Sequence, residues 1–409
     1  MNLGTEARMN QLLNARANRS RISELDLVRA FAIIGVLAVH ATSFATTEMV
    51  SDPASFPVYN FINIFMKFGT PVFLFLSSFV LFLNYFPRPV SKQTFTSFYR
   101  KRLIHIIIPY LVFSTIYYAA VAVTREPSEQ PASWLIDFAG KLASGTAYAH
   151  LYFVFISAQF YLLFPLLLWT LKKWPKLIPW CIPIGFGAQW GFYAVGQWTP
   201  ISGSANWAFT YFSFYMLGVY LGIRFDSLRA KLSPFRQLRQ FRYRSLTVLL
   251  WCVWLAAGIG HSYIWYAKRT LTESLPPLYV YSMFWNGYAI LSALVFMQTA
   301  FYAQAKQSRS YLLRLLKKLG ALSFGVYLLH PLLLAVYREL KPAALPVAGQ
   351  HLWYAGGFLL ALFGSALIVA FSHRYLPFSW LLFGKNELKR TTGRIPDAES
   401  FGGNKIGLR

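Results

Sequence analysis

Residues 24–40 read ELDLVRAFAIIGVLAVH, and this stretch places two costly side chains in an apolar helix. From Leu27 onward it is apolar enough to enter a bilayer, whose hydrocarbon core needs about 20 such residues per helix. Arg29 and His40 are separated by three helical turns and about 20°, so they share one face and lie about 16 Å apart along the axis. Asp26 precedes Arg29 by three residues and can pair with it. The stretch therefore predicts a membrane helix with a charge pair at one end and an imidazole towards the other.

The composition of the whole chain agrees with a membrane environment. The 409 residues are 56% hydrophobic and only 13% charged, whereas soluble domains carry about 25% charged residues. This disfavours a soluble enzyme, a disordered chain and a collagen-like fibre. The net charge of +25 also occurs in nucleic-acid-binding proteins, but here the basic residues form short tracts between long apolar runs. We therefore expect no nucleic acid partner. The two cysteines form no metal or redox motif.

Ten apolar segments are long enough to span a bilayer, which predicts an all-α, polytopic bundle. With the N-terminus in the cytoplasm, the segments on that side carry 31 of the 39 Lys and Arg residues, and the opposite segments carry five. This bias predicts that both termini are cytoplasmic. The predicted spans are 27–47, 61–85, 103–124, 150–171, 177–195, 207–223, 245–266, 278–303, 320–338 and 352–373.

Three regions follow from this count. Residues 1–26 are predicted to form a cytoplasmic N-terminal segment, and residues 27–373 the ten-helix membrane domain. Residues 374–409 are basic and rich in Gly, which predicts a flexible cytoplasmic tail that is disordered or lies on anionic lipid.

Ionisable residues at membrane depth are costly, so each is a functional candidate. Histidine is the natural general base near neutral pH, and arginine binds phosphate through a bidentate fork. Arg29 is thus a candidate for holding a phosphorylated co-substrate, and His40 for activating a hydroxyl at the other end of the same helix. The alternative for His40 is a packing role.

A second basic cluster, Arg100-Lys101-Arg102, opens the third predicted span. It is either a cytoplasmic anchor or a phosphate clamp beside Arg29. His105 follows Arg102 by three residues and is expected to share its face. Lys67, near the start of the second span, either extends its ammonium to the membrane interface or contacts an anionic acceptor.

Two further histidines lie at span boundaries. His150 opens the fourth span, and His330 precedes Pro331 in the ninth. Proline cannot donate a backbone hydrogen bond, so a kink beside His330 is expected, and Gly325 would let another helix approach closely. Structural roles are the alternative for both histidines and the expectation for three more at span ends, His261, His351 and His373.

These residues occur in a pattern that resembles the membrane-bound acyltransferase 3 family of bacteria over residues 24–373. Arg29 and His40 match its Arg-x10-His signature, and residues 71–79, PVFLFLSSF, resemble its Pro-x-Phe-Phe-x-x-Ser-Gly pattern. Further matches are the basic entry to the third span before Pro109-Tyr110, the segment from His150-Leu-Tyr-Phe to Pro165, and Ser323-x-Gly-x-Tyr-Leu-Leu-His330-Pro.

Two positions depart from the family pattern. Ser78 stands where the family usually has glycine, so the second span is expected to pack less closely. His105 stands where the family's Arg-x-x-Arg has its second arginine. If that arginine binds donor phosphate in relatives, His105 is expected to bind it less well.

The resemblance implies an enzyme of the bacterial plasma membrane that moves an acyl group, acetyl or succinyl, from cytosolic acyl-CoA to a hydroxyl of an envelope polysaccharide or lipid-linked glycan. It implies no metal and no bound cofactor, with acyl-CoA, above all acetyl-CoA, as co-substrate and membrane lipid as the surroundings. His40 would be the general base, or less favourably form a covalent acyl intermediate. The other implied roles are CoA binding by Arg29, Arg100, Arg102 and His105, pairing of Asp26 with Arg29, support of His40 by His330 and Ser323, and acceptor contacts by Lys67 and His150.

A proton-coupled transporter that exports a glycan intermediate or an anionic solute is the competing interpretation, because buried Arg and His can also form relays. A purely structural scaffold would leave the buried Arg and His unexplained. The ten predicted spans contain no Asp or Glu, which disfavours a carboxylate relay across the membrane. The sequence sets no oligomeric state.

Overall fold

The computed structural model describes residues 22–123, 133–232, 241–270, 276–306 and 310–388. Within these ranges the chain is helical and contains no strand. Eight of the helical segments described are long and apolar enough to cross a membrane. The predicted class, an all-α multi-pass membrane bundle, is therefore confirmed.

The helices differ in length and regularity. The helix Lys92–Val123 contains a π turn at Leu103–Ile107, and the helix Val347–Tyr375 contains another at Leu360–Gly364. In chain order the helices are α1 (Glu24–Thr42), α2 (Phe56–Phe65), α3 (Gly69–Tyr85), α4 (Lys92–Val123), α5 (Trp134–Ser144), α6 (Tyr152–Lys173), α7 (Cys181–Trp198), α8 (Phe212–Ile223), α9 (Phe225–Leu232), α10 (Phe241–Thr270), α11 (Leu278–Lys306), α12 (Tyr311–Glu339), α13 (Val347–Tyr375) and α14 (Ser379–Phe383).

Eight of the ten predicted spans correspond to these long segments. The second span is divided into α2 and α3 by a break at residues 66–68. The two remaining predictions fall on shorter elements. One is α7, which follows a 3₁₀ segment at Pro175–Trp180, and the other is the apolar stretch Ala208–Ile223. Pro179 lies in that 3₁₀ segment. The α-helical backbone hydrogen bond that proline cannot donate is not required there.

Helix α1 lies inside the bundle, packed against α3, α11 and α12. Leu27, Ile33 and Leu37 on different sides of α1 have no exposed surface, as expected for a helix that is apolar all round. Helices α1 and α12 run parallel, because Asp26 contacts Gly320 near their starts and His40 meets His330 near their ends.

Glycines on α8 bring that helix into contact with α3. A Cβ on Gly218 would collide with the Ser78 hydroxyl and the Phe75 carbonyl, and one on Gly222 would lie 2.5 Å from the Phe79 carbonyl oxygen. Ser78 is fully buried and donates to the Phe75 carbonyl at 2.9 Å. The expectation that Ser78 loosens this span is wrong, because the glycines that allow close packing stand on the partner helix.

The folded unit extends past the predicted boundary at residue 373. Helix α13 ends at Tyr375, and α14 then packs against α4. His373 is buried, with Nδ1 3.2 Å from Ser379 Oγ, and Gly384 adopts a φ of 69° where it meets the backbone of α4. Apolar contacts of α14 therefore hold the first part of the predicted tail. Residues 1–21 and 389–409, which complete the two predicted terminal segments, lie outside the described residues.

Replacing Gly218 with Ala should destabilise the protein by about 1–3 kcal/mol, because the new methyl group has no space between α8 and α3. Gly287→Ala is the matched control, since a Cβ there meets open space and alanine favours the helix. Thermal unfolding of both variants in one detergent measures the difference. Equal unfolding temperatures would contradict the close packing described for α3 and α8.

Candidate active site

A cavity of about 420 Å³ opens at the C-terminal end of α1. It is bounded by α1, the break between α2 and α3, the start of α6, and by α10, α11 and α12. Its volume lies in the range of small-molecule sites. The polar groups on its walls include those of His40, Lys67, Thr70, His150, Tyr152, His261 and Tyr281.

His40 occupies the last turn of α1, and its backbone is anchored from α12. Arg338 Nη2 donates to the His40 carbonyl at 2.6 Å, and the same guanidinium lies over the Phe44 ring at 3.9 Å. Carbonyls in the last turn of a helix lack partners within the helix and carry partial negative charge. Arg338 therefore fixes the end of α1 from which the imidazole projects.

A polar clamp holds the turn that follows α1. Glu48 accepts hydrogen bonds from Lys341 and from Tyr354 of α13. Burial opposes ionisation of Glu48, but these hydrogen bonds and the positive charge of Lys341 outweigh it and keep the pKa of Glu48 below its usual value. The clamp ties the chain after His40 to the ends of α12 and α13.

His330 lies in a break of the α12 hydrogen-bond ladder. Pro331 cannot donate, and the next possible bond is interrupted by the Tyr117 hydroxyl, which donates to the Leu328 carbonyl at 2.8 Å and accepts from Leu332 N–H at 3.0 Å. An inserted side chain is a known cause of helix distortion. Tyr117 of α4 therefore satisfies backbone groups beside Pro331 within a helix that continues from Tyr311 to Glu339, and the kink expected beside His330 stays a prediction.

The same region fixes the proton position on His330. Its Nδ1 lies 3.1 Å from the Val326 carbonyl oxygen, and because that oxygen only accepts, Nδ1 carries the proton. Nε2 is then an acceptor, and it is buried with no hydrogen-bond partner among the described residues. The His330 and His40 rings are 5.1 Å apart between centroids, so an acceptor nitrogen is available beside His40.

His150 completes a cluster with these two residues. Its ring centroid is 5.7 Å from that of His330, and its backbone carbonyl accepts a hydrogen bond from Tyr327. Neither ring nitrogen meets a partner with good hydrogen-bond geometry in the described chain, although the Leu328 carbonyl is close. We call His40, His150 and His330 the histidine cluster. Among the described residues no group of His, Cys, Asp or Glu is placed to hold a metal ion.

The opposite end of α1 carries the predicted charge pair. Arg29 Nη1 donates to Asp26 Oδ1 at 2.7 Å, with Asp26 buried and Arg29 28% exposed, so the predicted pairing is confirmed. The cavity reaches down α1 only as far as Val36. Ile33 below it is fully buried in the core. About 10 Å of packed helix therefore separates the cavity from Arg29.

The second basic cluster has its own surroundings. Arg100 and Lys101 are exposed, and the Arg102 guanidinium lies 4.9 Å from the centre of the Tyr161 ring on α6. His105 falls within the π turn of α4 and lies against Gly384. The extra residue of a π turn changes the helical register, and the expectation that His105 shares the face of Arg102 stays a prediction. The imidazole Nδ1 of His105 is buried with no partner in the part of the chain that is described.

Ser323 lies away from the histidine cluster. It precedes His330 by two turns of α12, about 10 Å along the axis, and is buried in the bundle. Hydroxyl residues that do line the cavity include Thr70 and Tyr152, whose hydroxyl oxygens are 3.2 Å apart. Helical rise thus separates Ser323 from the end of α1 that it was expected to support.

Sequence reasoning also missed the wall formed by α10. His261 and Trp265 line the cavity, although the sequence assigned His261 a structural role at a span end. Helix α10 runs to Thr270, past the predicted limit at residue 266, so both side chains lie deeper in the protein than expected. A buried histidine in an otherwise apolar segment was the available signal.

A sequence model for a family described as an acyltransferase domain matches residues 22–370 of the chain. The protein belongs to the acyltransferase 3 family. The match begins just before α1 and ends within α13, so it includes the charge pair, the histidine cluster and the cavity. No curated protein and no solved structure gives a significant match. Family and fold together make this chain a multi-pass membrane acyltransferase.

In this acyltransferase, Arg29→Met removes one hydrogen-bond donor to a buried carboxylate. The variant should lose about 1–3 kcal/mol of stability, because a hydrogen bond to a charged group contributes about that much. Adding Asp26→Asn should restore part of the loss by removing the charge that Arg29 stabilises. Thermal midpoints of wild type, both single variants and the double variant measure the coupling. Additive effects would mean that the contact does not stabilise the fold.

Proposed function

We propose that the protein is an O-acyltransferase that moves an acetyl or succinyl group from acyl-CoA to a hydroxyl of an envelope polysaccharide or a lipid-linked glycan. The observation that carries this proposal is the construction of α1. One helix bears an arginine suited to phosphate at one end and an imidazole in a cavity at the other. This arrangement matches a reaction whose two substrates arrive from opposite sides of a membrane.

The proposed topology has ten spans with both termini in the cytoplasm of a bacterial cell. Helix α7 and the stretch Ala208–Ile223 would be the two crossings beyond the eight long segments. Because they occur as a pair, the two ends of the helical domain would lie on the same side if both segments cross or if neither does. The bias of Lys and Arg assigns that side to the cytoplasm, so Arg29 would face the cytosol and the cavity the cell exterior.

The donor would enter at the Arg29 end. Arg29 uses one nitrogen for Asp26, and the remaining guanidinium donors are free to bind CoA phosphate. Arg100 and Arg102, with His105 beyond them, would add positive charge at the same membrane face. To bring the thioester to His40, the packing around Ile33 has to open, so donor binding would be coupled to a local separation of α1 from its neighbours.

The chemistry would take place at the histidine cluster. His40 in its neutral form removes the proton from the acceptor hydroxyl, and the hydroxyl oxygen attacks the thioester carbonyl carbon. The C–S bond then breaks, and the CoA thiolate takes up the proton. His330 Nε2 accepts the N–H of His40 and orients it, while the hydroxyls of Thr70 and Tyr152 stabilise the developing oxyanion.

Direct transfer is the proposed route. An acyl-His40 intermediate would require a second attack at the same position after CoA had left. His150 and Lys67 lie on the walls of the same cavity and would contact the acceptor.

His40→Ala should reduce acyl transfer by about 10²–10⁴-fold, the usual contribution of a general base. The assay measures CoA released by purified protein in lipid, with acetyl-CoA or succinyl-CoA and a cell-wall glycan extract. His351→Ala is the matched control: His351 contacts Tyr59 and Ser55, and the cavity wall does not include it. The control should keep its turnover.

Two results would contradict the proposal. Full turnover by folded His40→Ala protein would show that His40 is not the general base. Absence of CoA release from folded wild type with every donor, together with transport of glycan into proteoliposomes, would favour an exporter.

A further inference from the structure

One wall of the cavity contains Lys67 and further groups to which the chemistry above gives no role. It is centred on Trp265 of α10, and three cationic groups surround this indole. The distances to the ring centre are 4.9 Å for Lys67 Nζ, 5.1 Å for Lys268 Nζ and 5.7 Å for the Arg269 guanidinium carbon. We call Lys67, Lys268 and Arg269 the cation wall.

The cation wall has no carboxylate partner among the described residues. Arg269 donates to the side-chain oxygen of Asn60 at 3.0 Å, and the Lys268 ammonium lies over Tyr281 as well as Trp265. Aromatic contacts of this kind stabilise a cation only weakly at exposed sites. They leave the mutual repulsion of three like charges in place, and a bound anion would relieve it.

The position of these cations is unusual for the chain as a whole. The five segments predicted to face the exterior contain only five Lys and Arg residues, and Lys268 and Arg269 are two of them. Lys67 lies in the break between α2 and α3, where the Trp285 indole donates to its carbonyl at 3.3 Å. This hydrogen bond holds the backbone of Lys67, and the Lys67 side chain lines the cavity. Extension of its ammonium to the membrane interface therefore does not describe its position.

Two buried polar atoms beside the cation wall also lack partners. His261 is 1% exposed and its Nδ1 has no hydrogen bond within the described ranges. The Tyr281 hydroxyl, on a side chain that is 4% exposed, has none either. Both residues line the cavity. Because buried polar groups are nearly always satisfied, these atoms indicate that a polar ligand completes the site.

We propose that the cation wall is an anion subsite for the acceptor, so that the acylated glycan carries a carboxylate or a phosphate group. Lys67 binds this group inside the cavity, and Lys268 attracts it at the mouth. His261 and Tyr281 bind neighbouring hydroxyls. The anion is then held at the cation wall. Binding of the acceptor in this position presents one sugar hydroxyl to His40. This inference rests on the proposed function and specifies its acceptor.

The acceptor is a better source of the anion than the donor. The carboxylate of a succinyl group would have to pass His40 from the Arg29 end to reach Trp265. Lys268, in contrast, is exposed at the last turn of α10. Its ammonium lies beside Trp265 and Tyr281, which line the cavity, so it is accessible to a ligand that enters from solvent.

The test measures binding without any donor, using the full chain in neutral lipid nanodiscs. The probes are trigalacturonate for a carboxylate acceptor, galactose 1-phosphate for a phosphate acceptor, and neutral galactotriose. Wild type should bind one of the two anionic probes about tenfold more tightly than galactotriose, and added salt should reduce the margin. The favoured probe identifies the source of the charge.

Lys67→Met keeps the length of the side chain but removes its charge, and should reduce the margin to about threefold or less without changing galactotriose binding. Lys268→Met, at an exposed position, provides a second variant that does not depend on folding of the buried one. The matched control is Lys141→Met, because Lys141 pairs with Asp137 on α5 and does not line the cavity. This control should retain the wild-type margin.

Two outcomes would overturn the subsite: equal affinity of wild type for charged and neutral probes, or a Lys67→Met effect on turnover of succinyl-CoA but not of acetyl-CoA.

Release of CoA, measured separately, distinguishes the two proposals. Normal turnover with equal use of neutral and acidic acceptors would reject the subsite and keep the enzyme. Charge-selective binding that depends on Lys67, in protein that turns over no donor, would keep the subsite and reject the acyltransferase mechanism.

Discussion

The close contact between α1 and α12 is the interaction on which the site depends. Gly320 has no side chain, so α12 can press against the backbone of Asp26. From this contact the two helices run parallel, and the rise of each brings His330 to His40 near their far ends. A side chain at Gly320 would push the helices apart and separate the two imidazoles. One glycine at the Arg29 end thus sets the geometry of the chemistry at the other end.

The packed layer around Ile33 has a functional consequence. A membrane enzyme that joins a cytosolic donor to an exterior acceptor must bring them together without leaving an open pore. Ile33 and Leu37 are fully buried in the apolar core that contains α1 and α12, so the site at rest is closed between its two ends. In our account the donor opens this layer, and the interactions of Arg29 with CoA phosphate supply part of the free energy required.

Much of α1 could be predicted from the sequence, because the relations between its residues are local. The spacing of Arg29 and His40 and the pairing with Asp26 depend only on helical periodicity. The meeting of His40 with His330 could not be predicted, because helix order depends on small residues that are distant in sequence. For the same reason Ser78 was misjudged, since the compensating glycine, Gly218, stands on another helix.

Other differences arose from helix irregularities that periodic patterns do not reveal. The break at residues 66–68 turns Lys67 from an interfacial residue into part of a cavity wall. The π turn of α4 changes the helical register around His105. Regular rise along α12 places Ser323 two turns away from His330, a separation that the seven-residue spacing of the motif already implies. Interrupted or extended helices therefore account for most of the misplaced site residues.

The most direct test of the account is the structure of the protein with a non-hydrolysable acyl-CoA analogue, determined in lipid. We predict CoA phosphate at Arg29, an opened layer at Ile33, and the carbon that replaces the thioester carbonyl within about 4 Å of the His40 ring, which leaves room for an acceptor hydroxyl between them. An acyl group that stays at the Arg29 end below a closed Ile33 layer, or one bound away from the histidine cluster, would contradict the account.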